Sequence, residues 1–317
     1  MAFGKDSDRV LKQLSSFNGE LNFDYFDIDK LPNPLPSGLR VLRLSDTKIT
    51  ELPALPEGLE TLVMCYVAGI NAITKLPSSL KTLDCWGTPI KCLPPLPNGL
   101  IELIISRTKI NCLPAQPDSL QVLRCSDTDI KYIANLSPSL RFLNVSGSSL
   151  KKLPSELPYM LENLYLEGSS VTELPKELPK YLTNLVLNNT NISVLPPLPD
   201  SLRNLQIART LIRILPNLPT SLEVINCSRV ISENLFESGL PPPISCLECT
   251  CTYVKGKSIY DAGCFDCYYY KNCKGQSYAA SFNNWFGSMR EQRIQDRALR
   301  IKSELVRAIH MPFCFAN

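Results

Sequence analysis

Histidine is nearly missing from this sequence: His310 is the single one in 317 residues. A Ser-His-Asp triad or a His-rich metal centre cannot be assembled around one imidazole in a tail. Aromatic residues are sparse at 8%, so aliphatic side chains must fill any core. No run of about 18 apolar residues occurs, which predicts no helical membrane span. Met1 to Val10 is polar, with Lys5, Asp6, Asp8 and Arg9, and lacks the apolar stretch of a signal peptide. Phosphate loops of the GxGxxG or Walker kind are absent, and Asp and Glu show no evident acid–base pair. Neither charge sign dominates: 33 Lys+Arg against 30 Asp+Glu leave +3. That is too little to point to nucleic acid or an anionic membrane. These absences predict a chain with no catalytic centre and no cofactor, working in a reducing cytosol where its 13 cysteines stay thiols.

Repetition is what the sequence has in abundance. Leu39, Leu59, Leu80, Leu100, Leu120, Leu140, Leu161, Leu182, Leu202 and Leu222 follow one another at intervals of 20 or 21 residues. Each opens one phrase, as in Leu39-x-x-Leu42-x-Leu44-x-x-Thr47-x-Ile49-x-x-Leu52-Pro53-x-Leu55-Pro56. The Leu42-x-Leu44 step has period two, so both leucines face one side of a short strand. One copy cannot bury its own leucines, but stacked copies bury them as a column under a parallel sheet. Proline in the Leu-Pro-x-Leu-Pro leg excludes helix and favours an extended or polyproline path. The fold class expected is an α/β-type repeat: a solenoid with a concave parallel sheet of short strands, an extended convex side and a C-terminal helical cap.

The phrase continues in degenerate form upstream (Leu21-x-Phe23, Phe26, Ile28, Leu31-Pro32) and downstream (Ile244-x-x-Leu247-x-Cys249-x-x-Thr252-x-Val254). About twelve parallel strands at ~4.8 Å each predict a sheet on the order of 50–60 Å long. The expected organisation is a cap and degenerate first repeat over 1–30, repeats over 31–255, and a Cys/Tyr-rich cap over 256–317. Arg9 to Ser16 suits a short capping helix, and extra residues around Ala68-Gly69-Ile70 predict a local bulge.

This phrase resembles the short LPX-type leucine-rich repeats of bacterial secreted effectors, the YopM and IpaH/SspH group, over about Leu21 to Val254. Similar repeats occur in FNIP-like proteins of large DNA viruses and amoebae. The resemblance implies a leucine-rich-repeat solenoid in either case. It departs at one slot, where the group's Asn is Thr or Ser: Thr47, Thr88, Thr108, Thr128, Ser148, Ser169, Thr190 and Thr210. A hydroxyl ladder bonding the neighbouring turn is expected to replace the asparagines. The IpaH/SspH members also carry a ubiquitin-ligase domain with a catalytic Cys-x-Asp, matched in three letters by Cys264-Phe265-Asp266. The residues that follow the repeats are too few for that domain, so a ligase-linked adaptor is the alternative reading.

Cys246-x-x-Cys249 and Cys264-x-x-Cys267 have zinc-site spacing, and Cys246, Cys264, Cys267 and Cys273 are the candidate ligands of a zinc-stapled module. Against this, Cys249 shares the core slot of Cys85, Cys125 and Cys227, where a thiol fills the column. Tyr260, Phe265 and Tyr268-Tyr269-Tyr270 suit a cover over the open end. From about 288 to 310 the pattern is that of a basic amphipathic helix, with Ile294, Ala298, Ile301, Leu305 and Ile309 on one face. Such a helix either packs on the last repeats or contacts a partner. The outward slots of the sheet offer Arg43, Tyr66, Trp86, Arg107, Arg124, Tyr165, Gln206 and Arg229 as anchors for a protein partner, because large rings and arginines dominate interface energetics. Trp86 and Tyr165 are expected as large exposed rings.

Overall fold

A computed structural model describes residues 3–227 and the strand Thr252–Val254. Among the described residues one helix, α1 (Ser7–Ser15), precedes a single sheet. Its strands are β1 (Glu20–Asn22), β2 (Val41–Arg43), β3 (Thr61–Val63), β4 (Thr82–Asp84), β5 (Glu102–Ile104), β6 (Val122–Arg124), β7 (Phe142–Asn144), β8 (Asn163–Tyr165), β9 (Asn184–Val186), β10 (Asn204–Gln206), β11 (Val224–Asn226) and β12 (Thr252–Val254). They lie side by side in chain order. β1 to β11 are all parallel, and the repeat sets their register: Leu21, Leu42, Leu62, Leu83, Leu103, Leu123, Leu143, Leu164, Leu185 and Leu205 are consecutive partners. Every leucine of that row is fully buried. The expected column is therefore the spine of the molecule.

The last strand departs from expectation. The phrase placed it around Leu247, parallel to its neighbour; the strand beside β11 is Thr252–Val254, and it runs antiparallel. The eleventh copy reads Leu235-Phe236-Glu237-Ser238-Gly239-Leu240-Pro241, where most of its predecessors read Leu-Pro-x-Leu-Pro or Leu-Pro-x-x-Leu-Pro. The zinc candidates Cys246, Cys264, Cys267 and Cys273, the Cys264-Phe265-Asp266 triplet, the aromatic cover and the 288–310 pattern all lie outside the described residues.

Two hydroxyl rows run along the stack, and they divide the work. The buried threonines close their own coil: Thr47 Oγ1 donates to Leu44 O at 2.7 Å, and Thr88, Thr108, Thr128, Thr190 and Thr210 repeat this bond three residues back at 2.7–2.8 Å. The expected ladder to the neighbouring turn is not what this slot does, because a short hydroxyl reaches the nearest carbonyl first. A recurring coil-to-coil side-chain bond comes from a serine before the core leucine. Ser79, Ser119, Ser201 and Ser221 donate to Leu59 O, Leu100 O, Leu182 O and Leu202 O at 2.6–2.7 Å. Each such bond adds about 1 kcal/mol.

The return legs are extended and place Leu52, Leu55, Leu93, Leu96 and their equivalents against the core. The legs end in a Pro-x-x-Leu turn, as where Leu59 N–H donates to Pro56 O at 3.1 Å, except that Ser137 takes the proline's place before Leu140. At the other end Gln13 of α1 caps the open edge of β1, its Oε1 accepting from Asn22 N–H at 2.9 Å. An unpaired strand edge is thereby covered.

The irregular third copy is a one-residue insertion. Val67 takes the hydroxyl slot and Ile70 the isoleucine slot, both buried. The chain between them presses on the preceding coil, so that a Cβ on Gly69 would overlap Ile49 O and Thr50 Cα. Gly99, in a Pro-x-x-Leu turn, faces open space within 4 Å. Gly69→Ala should therefore cost roughly 1–3 kcal/mol through backbone displacement. Gly99→Ala should be neutral or stabilise by about 0.4–1 kcal/mol through the unfolded chain. Urea unfolding of the two variants checks this; equal stabilities would refute the close approach at Gly69.

Candidate functional site

The outward side of the sheet is built from two slots that flank each buried strand leucine, and from the turn that follows. That turn is left-handed in every complete coil. Asp46, Tyr66, Arg107, Asp127, Asn189 and Arg209 have φ between 53° and 58°, and Gly87, Gly147 and Gly168 occupy the same slot. Arg and Tyr take this conformation at a cost of roughly 1 kcal/mol each. The turn carries their side chains beside the sheet face.

Six of the seven described anchors have definable neighbours, and five fall into two groups. In the first, Tyr66 and Trp86 from adjacent coils pack with ring centroids 4.6 Å apart. The Arg107 guanidinium lies 5.6 Å from the Trp86 ring and reaches Asp127 at 3.4 Å. Gly87 makes room for this pair, since a Cβ there would sit 2.6 Å from the Tyr66 ring. In the second group, Arg124 lies 4.1 Å over the Phe142 ring, and Phe142 stacks on Tyr165 at 5.2 Å and 30°. Phe142 escaped the sequence reading, which took outward residues only from slots after the strand leucine. Its own slot holds Val, Thr, Glu or Asn in other coils, so no periodic aromatic signal marks it.

The expected exposure of the two largest anchors is corrected by this packing: Trp86 and Tyr165 are half-buried against their neighbours, while Tyr66 is 46% exposed. Gln206 donates from Nε2 to Asn204 Oδ1 at 2.7 Å. Arg43 is exposed on β2, away from both groups, and Arg229 lies outside the described residues. A rim of cross-coil ion pairs borders the face: Lys81–Glu60 at 3.2 Å, Arg141–Glu162 at 2.7 Å and Arg203–Glu223 at 2.9 Å. Such exposed pairs add little stability, about 0–1 kcal/mol each; they fix the orientation of neighbouring side chains.

The remaining chemistry of the described residues is muted. The thiols Cys65, Cys85, Cys92, Cys112, Cys125 and Cys227 are all free. Burial pushes Cys125 up to about 12 and Cys227 up to about 11, which suppresses thiolate. Among the described residues no group of three or more His, Cys, Asp or Glu is placed to hold a metal ion. No helix among them is long and apolar enough to cross a membrane.

No protein-family model and no curated protein matches the sequence. Solved structures do. The chain is similar to YopM from Yersinia enterocolitica WA-314, with 28% identity and a TM-score of 0.56 over 67% of this chain and 51% of that one. It is similar also to YopM from Yersinia pestis, described as a leucine-rich effector protein, with 27% identity and a TM-score of 0.54 over 70% of this chain and 75% of that one. The match thus spans about half the length of the first of these chains. The chain is a leucine-rich-repeat protein whose solenoid resembles that of YopM, as its repeat phrase implied.

Proposed function

We propose, on the premise that this leucine-rich-repeat chain is built like YopM, that it is a non-catalytic scaffold holding a protein partner against the concave face of its sheet. The observation that carries the reading is the gathering of Tyr66, Trp86 and Arg107, and of Arg124, Phe142 and Tyr165, into two ring–guanidinium groups on that face. Aromatic rings held by neighbours lose little freedom on binding, and arginine and tryptophan are frequent energetic anchors. The fold supports the same reading: the spine is aliphatic and self-contained, so the outward slots can vary without disturbing the buried column. The free thiols favour a reducing cytosol, which is the host's if the source is a secreting bacterium or a virus.

The test is affinity capture from a cytosolic extract with the wild type and with a Trp86→Ala/Tyr165→Ala variant of unchanged circular dichroism. Partners held by the wild type should fall at least about tenfold in recovery, since each truncated anchor costs about 1–2 kcal/mol or more. An identical set of partners at equal recovery would remove the concave face from the function.

A further inference from the structure

The sheet face changes character along its length. The outward strand-end residues of β2 to β6 include Arg43, Asp84, Glu102 and Arg124. Those of β7 to β10 carry no charge: five carboxamides, two rings and Val186. Three of the carboxamides form one row in register, Asn163 beside Asn184 beside Asn204.

Their hydrogen bonds leave a pattern. Asn184 Nδ2 donates to Asn163 Oδ1 at 2.7 Å and to Thr183 Oγ1 at 3.0 Å. Gln206 Nε2 donates to Asn204 Oδ1 at 2.7 Å. Among the described residues, the NH2 groups of Asn163 and Asn204 and the carbonyl oxygens of Asn184 and Gln206 then have no partner. Along the row the unspent groups alternate: donor, acceptor, donor, with the Gln206 acceptor beside the last. All are half-buried, so a ligand that covers them must replace the water they bind.

A carboxamide presents the same planar donor and acceptor as a peptide group. An extended polypeptide laid across the strands has main-chain N–H and C=O groups that need partners once water is displaced. The strand residues themselves offer a charged ligand no counter-charge, and the rim charges beside them are matched to each other, Arg141 to Glu162 and Arg203 to Glu223; an apolar ligand would strand the amides.

We propose that the β7–β10 half of the face reads the main chain of an extended, uncharged peptide segment, with Asn163, Asn184 and Asn204 as its hydrogen-bonding row and the half-buried Tyr165 as the adjoining apolar footing. The proposal rests on the protein-binding reading above and names the part of the partner that this half takes. It divides the work of the face: rings and arginines supply affinity, two of those rings, Phe142 and Tyr165, standing on β7 and β8 beside the amides, and the amide row supplies register.

The test uses a displayed library of random linear peptides, selected on the full chain. Enriched peptides are resynthesised and titrated by fluorescence anisotropy against the wild type, Asn184→Leu, Asn184→Ala and Trp86→Ala/Tyr165→Ala. Expected are uncharged sequences whose Kd rises about tenfold with either Asn184 variant, the equivalent of about 1.4 kcal/mol. A comparable loss is expected on N-methylating the peptide backbone. Circular dichroism establishes that the variants are folded. Peptides that lose affinity with the Trp86/Tyr165 variant but ignore Asn184 and N-methylation would overturn this proposal and leave the sheet-face reading standing. Peptides indifferent to every variant would overturn both. Enrichment of no peptide, or a glycan array on which a saccharide depends on Asn184 instead, would overturn the main-chain assignment.

Discussion

Raising the pH from about 9 to about 11 should strip several kcal/mol from the stability of this protein, at roughly 1.4 kcal/mol per pH unit for each buried thiol. Burial, with smaller contributions from Asp84 and Cys65, pushes the Cys85 thiol up. Burial alone raises Cys125 from its ordinary 9.0 to about 12, and burial also lifts Cys227 to about 11. The folded-state values lie above the unfolded ones. The contribution is therefore fully present below about 9, where both states are protonated, and is lost as pH rises toward the folded values. Over that window the unfolded chain ionises its thiols while the folded core cannot. Urea titrations at stepped pH check this against Cys125→Ala. That variant is less stable at neutral pH because of the cavity, but its alkaline slope should be shallower by about 1.4 kcal/mol per pH unit. Equal slopes would show that the Cys125 site admits a thiolate.

Leu123→Ala should cost about 2–5 kcal/mol and break the unfolding transition in two. Leu123 is fully buried and sits between Leu103 and Leu143 in the central column. Each coil touches only its neighbours, so the two flanking stacks share no other contact that could bridge a weakened rung. Denaturant unfolding with hydrogen exchange would register protection lost first in the coils around β6. A single transition shifted by less than about 1 kcal/mol would mean that the stack is stiffer than nearest-neighbour packing allows.

Most of the spine could be read from the sequence because a leucine every 20 or 21 residues admits one stacked solution. What escaped was local. The direction of the threonine hydroxyl depends on which carbonyl is nearest, and spacing does not encode that. The serine row was visible as a recurring Ser-Leu pair at Ser79, Ser119, Ser201 and Ser221, but polarity at a turn is common and did not mark it as a ladder. Phe142 lies in a slot with no aromatic precedent, and the half-burial of Trp86 and Tyr165 follows from partners one coil away. The last strand ran against expectation although the downstream letters match the phrase; the leg before them differs in having no proline after Leu235 and a longer gap to Leu240-Pro241.

The threonine and serine rows share a property: every bond they make ends on a main-chain oxygen. A backbone carbonyl is the same in each coil whatever its side chains, so the threonine bond can close any coil and the serine bond can join it to whichever coil precedes it. Whole units can be duplicated or deleted in descent without rewriting their neighbours. The span of the recognition surface can thus lengthen or shorten with the size of what it must grip, like links taken from a chain, while the fastening between links stays unchanged.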